Sequence, residues 1–364
     1  MTKKQAAKPP PQVRKGQGSM QVGRPEFERR LREHYYDPAF EQAGGAIRKL
    51  ADLAWDGYDH SRKSPRTRKA GPGFADPEYE LAIEWLATRD AIAAAQKRHD
   101  KRSGKPRILL ICASPRNDQT CPGEMSKTFR LAKTAREVIE AGGAVCDLLD
   151  LSHITAQYAR HIHPCKACVS TAMPLCHWPC SCYPNHALGQ VNDWMSELYP
   201  RWVEAHGVMI VTPVHWYQAP TVLKAMIDRL VCADGGNPDP TSTHGKKPAE
   251  AKALELKGWD YPRHLAGRAF AVVVHGDTEG VDTLRRSLVD WLNDMELIQA
   301  GRAATLDRYI GYYGPYATSH DALDADQALF EETRNAARSL VSELRMIRKG
   351  RREPDAELES PRPK

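Results

Sequence analysis

Beyond Lys105 the chain alternates short apolar runs with amphipathic stretches. Arg107–Ala113, Ala144–Leu149, Val208–Thr212 and Ala269–His275 are apolar almost throughout, as strands buried on both faces must be, and a fifth run lies near Leu297–Leu306. Between them the spacing predicts helices over Ser126–Ala141 (stopped by Gly142-Gly143), Val191–Ala205 (with Pro200 inside), Pro220–Cys232 and Val281–Met295, and a last one over Asp324–Arg348. Strands that alternate with helices give an α/β fold, a doubly wound parallel five-stranded sheet. Right-handed crossovers leave 2-1-3-4-5 as the common strand order, with ligands bound at the carboxyl ends of the strands beside the switch point. The loops after Ala113, Thr212 and His275 become the candidates for chemistry.

The region before Lys105 reads differently. Pro25–Ala54 suggests one or two helices broken near Asp37-Pro38 and Gly44-Gly45, and Asp76-Pro77 would cap a helix reaching His99. The expected organisation is a disordered basic tail over 1–25, a helical extension packing on the main domain over 26–104, the α/β domain over 105–350, and a disordered tail over 351–364. Ala233–Gly267 reads as a Gly, Pro and Lys-rich insertion.

Net charge is +6, which equals the charge of Lys3, Lys4, Lys8, Arg14, Lys15 and Arg24 in the tail, so the remainder is near neutral. Such a tail is ordinarily solvated, and nucleic acid is not expected as a partner. No apolar run approaches the roughly 20 residues that cross a bilayer, and the tail lacks the apolar centre of a signal peptide. A cytoplasmic location with no membrane association is expected.

The first loop runs Ala113-Ser114-Pro115-Arg116 to Ser126-Lys127-Thr128 at a helix start. Helix N–H groups, hydroxyls and a guanidinium together suit a phosphate, and the lack of a dinucleotide glycine fingerprint favours a mononucleotide. In the second, Pro213-Val214-His215-Trp216-Tyr217-Gln218-Ala219-Pro220, two prolines and two aromatics could wall a flat ring or simply pack in a core or dimer contact. The third is His275-Gly276-Asp277-Thr278-Glu279-Gly280.

Val208–Arg229 resembles the flavin-ring loop of the NAD(P)H-dependent FMN reductase family, with its proline, aromatics, second proline, Leu223-Lys224 and Asp228-Arg229. Ser114-Pro115-Arg116 resembles that family's phosphate loop, although Ala113 replaces the usual glycine and the loop before Ser126 is long. The resemblance implies a flavodoxin-like fold, with FMN as cofactor, NAD(P)H as electron donor and a quinone, flavin or other small-molecule or protein acceptor. It implies phosphate binding by Ser114, Arg116, Ser126, Thr128 and the Lys127 N–H, and flavin contacts from Pro213, Val214, His215, Trp216, Tyr217, His275, Gly276, Asp277 and Gly280. A homo-oligomer is expected on the same ground.

Five of the nine cysteines, Cys165, Cys168, Cys176, Cys180 and Cys182, crowd one Pro-rich segment. They could ligate a [4Fe-4S] cluster or zinc, or remain as free thiols or a redox disulfide. The segment resembles that of iron-sulfur flavoproteins but with different spacing. A cluster would send single electrons from the flavin to a protein or metal acceptor.

Overall fold

The computed structural model describes residues 11–62, 64, 66–121, 123–183 and 193–350. The expected tail over 351–364, the first ten residues of the basic tail, and Val191 lie outside them. The chain folds as two compact units. One comprises 1–87, 166–193 and 236–261, the other 88–165, 194–235 and 262–364.

The larger unit carries the parallel sheet, formed by β1 (Arg107–Cys112), β2 (Val145–Asp150), β3 (Gly207–Pro213), β4 (Ala269–Gly276), β5 (Ile298–Gln299) and β6 (Thr305–Tyr309). The order β2-β1-β3-β4 then continues with β5 and β6, which pair successive stretches of β4, every pairing parallel. This is the doubly wound order expected, with one correction. The fifth strand is two short strands, because the short 3-10 turn Arg302–Ala304 interrupts pairing between them.

The strands are apolar on both sides because both are covered. Ile108, Leu110, Met209, Val211 and Ala271 pack with Leu131, Ala135 and Ile139 of α1 (Lys127–Ala141) and Leu340 and Leu344 of a long terminal helix. The alternate residues Leu109, Ile111, Val208, Ile210 and Val272 are buried as completely, as are residues of α2 (Met195–Glu204), α3 (Thr221–Arg229) and α4 (Val281–Asp294). The terminal helix is α5 (Gln327–Lys349), whose N-cap Asp326 accepts a hydrogen bond from Leu329 N at 3.0 Å. Asp326→Ala removes that acceptor and should cost about 1 kcal/mol, read as a lower urea midpoint with unchanged slope.

The smaller unit gathers three segments. Helices Arg24–Glu33 and Gly44–Asp59 pack through Phe27, Trp55 and Tyr58. Asp76-Pro77 does not begin a helix. The chain instead forms an antiparallel ribbon, Thr67–Lys69 with Glu80–Ala82, and the helix starts at Ile83 and runs to Asp100, crossing into the larger unit. The competing interactions are visible: Ala75 N and Asp76 N donate to Asp239 and Thr241, residues far along the chain, and hold this stretch as a series of turns. Trp85, buried with Leu81 and Leu86, donates from Nε1 to Pro179 O at 2.8 Å. Among the described residues no helix is long and apolar enough to cross a membrane.

Candidate functional site

The parallel register brings the ends of β1, β3, β4 and β6 to one edge of the sheet, and four loops emerge there. Ser114, buried, accepts at Oγ from Arg116 N at 3.1 Å, which folds the turn back on itself. Asn117 ties the rest of this loop down by donating to Ser152 Oγ at 2.6 Å. Ser126 caps α1 by accepting from Phe129 N at 3.1 Å, so the remaining N–H groups of the first turn face outward with the positive end of the helix dipole. Arg116 pairs with Glu124 at 2.9 Å where both are exposed, an interaction worth little against an entering dianion.

Two contacts link this loop to the third. Lys127 Nζ lies 3.0 Å from Asp277 Oδ2, and Thr128 Oγ1 lies 2.9 Å from His275 Nε2. The Thr128 hydroxyl, expected to face a phosphate, is buried and directed at His275. Burial pushes the His275 pKa down to about 3, with Lys127 adding to the effect and Asp277 opposing it. The imidazole is neutral, and its Nδ1 is buried with no hydrogen-bond partner among the described residues.

The second loop is a tight hairpin. His215 and Gln218 exchange backbone hydrogen bonds, both 2.9 Å, across Trp216 and Tyr217. Both aromatics have positive φ, 47° and 68°, the requirement of a type I′ turn that Asn-Gly usually meets. Left-handed backbone costs a non-glycine residue about 1–2 kcal/mol, yet this chain spends it on two aromatic rings that stand 91% and 56% exposed. Both rings are thus held in a strained backbone and open to solvent. His215, exposed at the hairpin, has its pKa lowered by desolvation and by Arg116, against Asp277.

Gly280 holds the hairpin in place. Its φ is +105°, and a Cβ there would lie 2.9 Å from Tyr217 Cα, so only glycine permits this approach. Val214 N donates to His275 O at 2.8 Å, locking the strand ends together.

The fourth loop was not singled out from the sequence. Tyr309 and Tyr312 both donate to the Glu279 carboxylate, and ring centroids stand 4.3 Å apart from Tyr309 to Tyr312 and 4.2 Å from Tyr312 to Tyr313, with Tyr313 largely exposed. The aromatic run Tyr309-Ile310-Gly311-Tyr312-Tyr313 after the last strand was the available signal.

Four of the five cysteines, Cys168, Cys176, Cys180 and Cys182, lie close to Lys246. Cys165 belongs to the larger unit, Cys168, Cys176, Cys180 and Cys182 to the smaller. Among the described residues no group of three or more His, Cys, Asp or Glu is placed to hold a metal ion.

No curated protein matches the sequence. Solved structures of similar fold include RosB with a bound 8-demethyl-8-formylriboflavin-5'-phosphate intermediate, at 13% identity and a TM-score of 0.46 over 67% of this chain and 81% of that one. An apo NADH:FMN oxidoreductase, EMOB, gives 16% and 0.37 over 66% and 90%. Azoreductase AzrA gives 11% and 0.38 over 64% and 98%. The family model described as NADPH-dependent FMN reductase matches residues 106–309, more than half of the chain. The chain therefore belongs to the NADPH-dependent FMN reductase family and is an oxidoreductase of the flavodoxin-like α/β class.

Proposed function

We propose that the four loops seat FMN, that NAD(P)H is the electron donor, and that a quinone, a free flavin or another small planar molecule is the acceptor. One observation carries the reading: a strained hairpin presents two aromatic rings beside a hydroxyl-capped helix N-terminus, all on one edge of a parallel sheet. The residues fit the cofactor. Ser114, Ser126, the Arg116 guanidinium and the N–H groups of Lys127 and Thr128 supply donors for a phosphate. Pro213, Val214, His215, Trp216 and Tyr217 offer a wall for a planar ring, and Gly276, Asp277 and Gly280 offer backbone that approaches closely. The buried Nδ1 of His275 is a polar atom left for something beyond the protein's own groups. FMN, when bound, supplies a ring that accepts hydride and returns electrons.

The protein's own share is placement. The Lys127–Asp277 pair and the Thr128–His275 hydrogen bond fix the phosphate loop relative to the third loop. His275, neutral and buried, holds no exchangeable positive charge at this edge; His215 is the titratable ring nearer the surface. The tyrosine stack on Glu279 extends the aromatic surface outward and suits a planar acceptor. Single-electron transfer through a cysteine-ligated cluster lacks a comparable observation to favour it.

The test is direct titration of the purified chain with FMN by fluorescence quenching, then NADPH oxidation with a quinone or free flavin. Tight FMN uptake with NADPH turnover is expected; a protein that binds no FMN and oxidises no NADPH overturns the reading. Arg116→Ala should weaken FMN about tenfold and leave riboflavin affinity unchanged, because only the phosphate loses a charge-assisted bond.

A further inference from the structure

We propose that Cys168 and Cys182 form a redox-active dithiol, positioned by Lys246, that exchanges with small disulfides. This site lies wholly within the smaller unit and does not depend on the flavin reading.

Two short turns, Cys168–Ser170 and Met173–Leu175, pack with Ala172 and Ala251 and give the thiol segment a core of its own. Asn237 clamps it from three sides: its N–H donates to Cys176 O at 2.7 Å, its amide to Pro174 O at 3.1 Å, and its carbonyl accepts from Trp178 N at 2.8 Å. His177 is held between Ser181 and Thr243. The result brings Cys168 Sγ to 4.0 Å from Cys182 Sγ, about 2 Å beyond a bonded pair and within reach of side-chain rotation. Cys182 and Cys176 are buried, whereas Cys168 is partly exposed, so an incoming reagent meets Cys168 first.

Lys246 supplies the charge. Its ammonium is largely withdrawn from solvent, donates to Leu175 O at 2.7 Å and stands 3.6 Å from Cys168 Sγ. Burial pulls its pKa down, yet Cys182, Cys168, Cys180 and Cys176 push it up further, so it remains an ammonium facing sulfur. A withdrawn cation requires an anion, and the thiols are the groups around it that can become one. Hydrogen bonding to Cys176, with burial, raises the Cys168 thiol on balance, and the bond to Cys182 and the Lys246 ammonium oppose that rise.

The step balances without a further reagent. The Cys168 thiolate attacks one sulfur of a disulfide, forming a mixed disulfide and expelling a thiolate that takes a proton from water. Cys182, its proton lost to solvent, attacks the Cys168 sulfur and expels the second thiol. Two protein thiols are oxidised and one disulfide is reduced to two thiols.

The test uses the full chain with Cys121→Ser, Cys146→Ser, Cys165→Ser and Cys180→Ser, which removes the other exposed and partly exposed thiols, and oxidised glutathione as the probe. Two equivalents of reduced glutathione and a Cys168–Cys182 bond mapped by mass spectrometry are expected. Cys182→Ser should stop at one equivalent with glutathione on Cys168. Lys246→Met should slow the reaction about tenfold at neutral pH and regain rate in alkali, a shift that loss of packing would not produce. A bond mapped elsewhere, two equivalents from Cys182→Ser, or thiols silent because zinc or iron is bound to the purified chain would each overturn the proposal.

Discussion

Gly280→Val should raise the apparent FMN dissociation constant about 100-fold while leaving the urea midpoint nearly unchanged. At φ +105° a β-branched side chain is strained by at least ~1–2 kcal/mol. Its Cβ would also sit 2.9 Å from Tyr217 Cα and 3.2 Å from Tyr217 O, contacts with backbone that no rotamer change relieves. Gly280 is buried, so relief comes from the hairpin, whose exposed Trp216 and Tyr217 can move outward with little disturbance of the core. If the original arrangement then lies ~3 kcal/mol above the relaxed one, it is populated under about 1% of the time, and affinity falls by that fraction. Gly258→Val is the matched control: its φ is +106°, no atom lies within 4 Å of an added Cβ, and it belongs to the smaller unit. It should leave FMN affinity unaltered. Equal losses from both variants would remove Gly280 from the site.

The sheet was legible because its signal is local and redundant. A strand buried on both faces must be apolar at every position, as Ile108–Cys112 and Val208–Val211 are, and a helix such as α1 carries its own stop and start in Ser126 and Gly142-Gly143. The loops were legible to the extent that composition betrays them, so the aromatic pair of the second loop stood out. What composition could not show is direction. Thr128 faces inward because His275 lies three strands' worth of sheet away in sequence but beside it in space. The same limit hid the smaller unit, assembled from three separate segments and stapled by bonds such as Asp76 N to Thr241. Local signals at Asp76-Pro77 favoured a helix, and those distant acceptors outweighed them. The tyrosine run after β6 escaped notice since the fifth strand was placed to end at Leu306, short of Tyr309.

Acidification from about pH 6.5 to pH 4.5 should cost this protein on the order of 3 kcal/mol of stability, most of it traceable to His275. Its folded pKa is about 3 against 6.5 for an unfolded histidine, so below 6.5 the unfolded chain takes up a proton that the folded chain refuses. Stability therefore falls with pH at about 1.4 kcal/mol per unit, beginning at the unfolded value and ending near the folded one. His206 is lowered to about 4 by desolvation and its neighbour His99, and acts in the same direction, though its partial exposure reduces the share. The carboxylates held low by arginines, such as Glu204 beside Arg98, lose stability only below their unfolded value of 4.5, which leaves the upper window to the histidines. His275→Gln cannot take up the proton and keeps a group able to bond Thr128 Oγ1. Urea midpoints measured across that window should flatten by about one proton in this variant. An unchanged slope would place the titrating group elsewhere and leave the neutral, buried imidazole at the edge of the sheet without support.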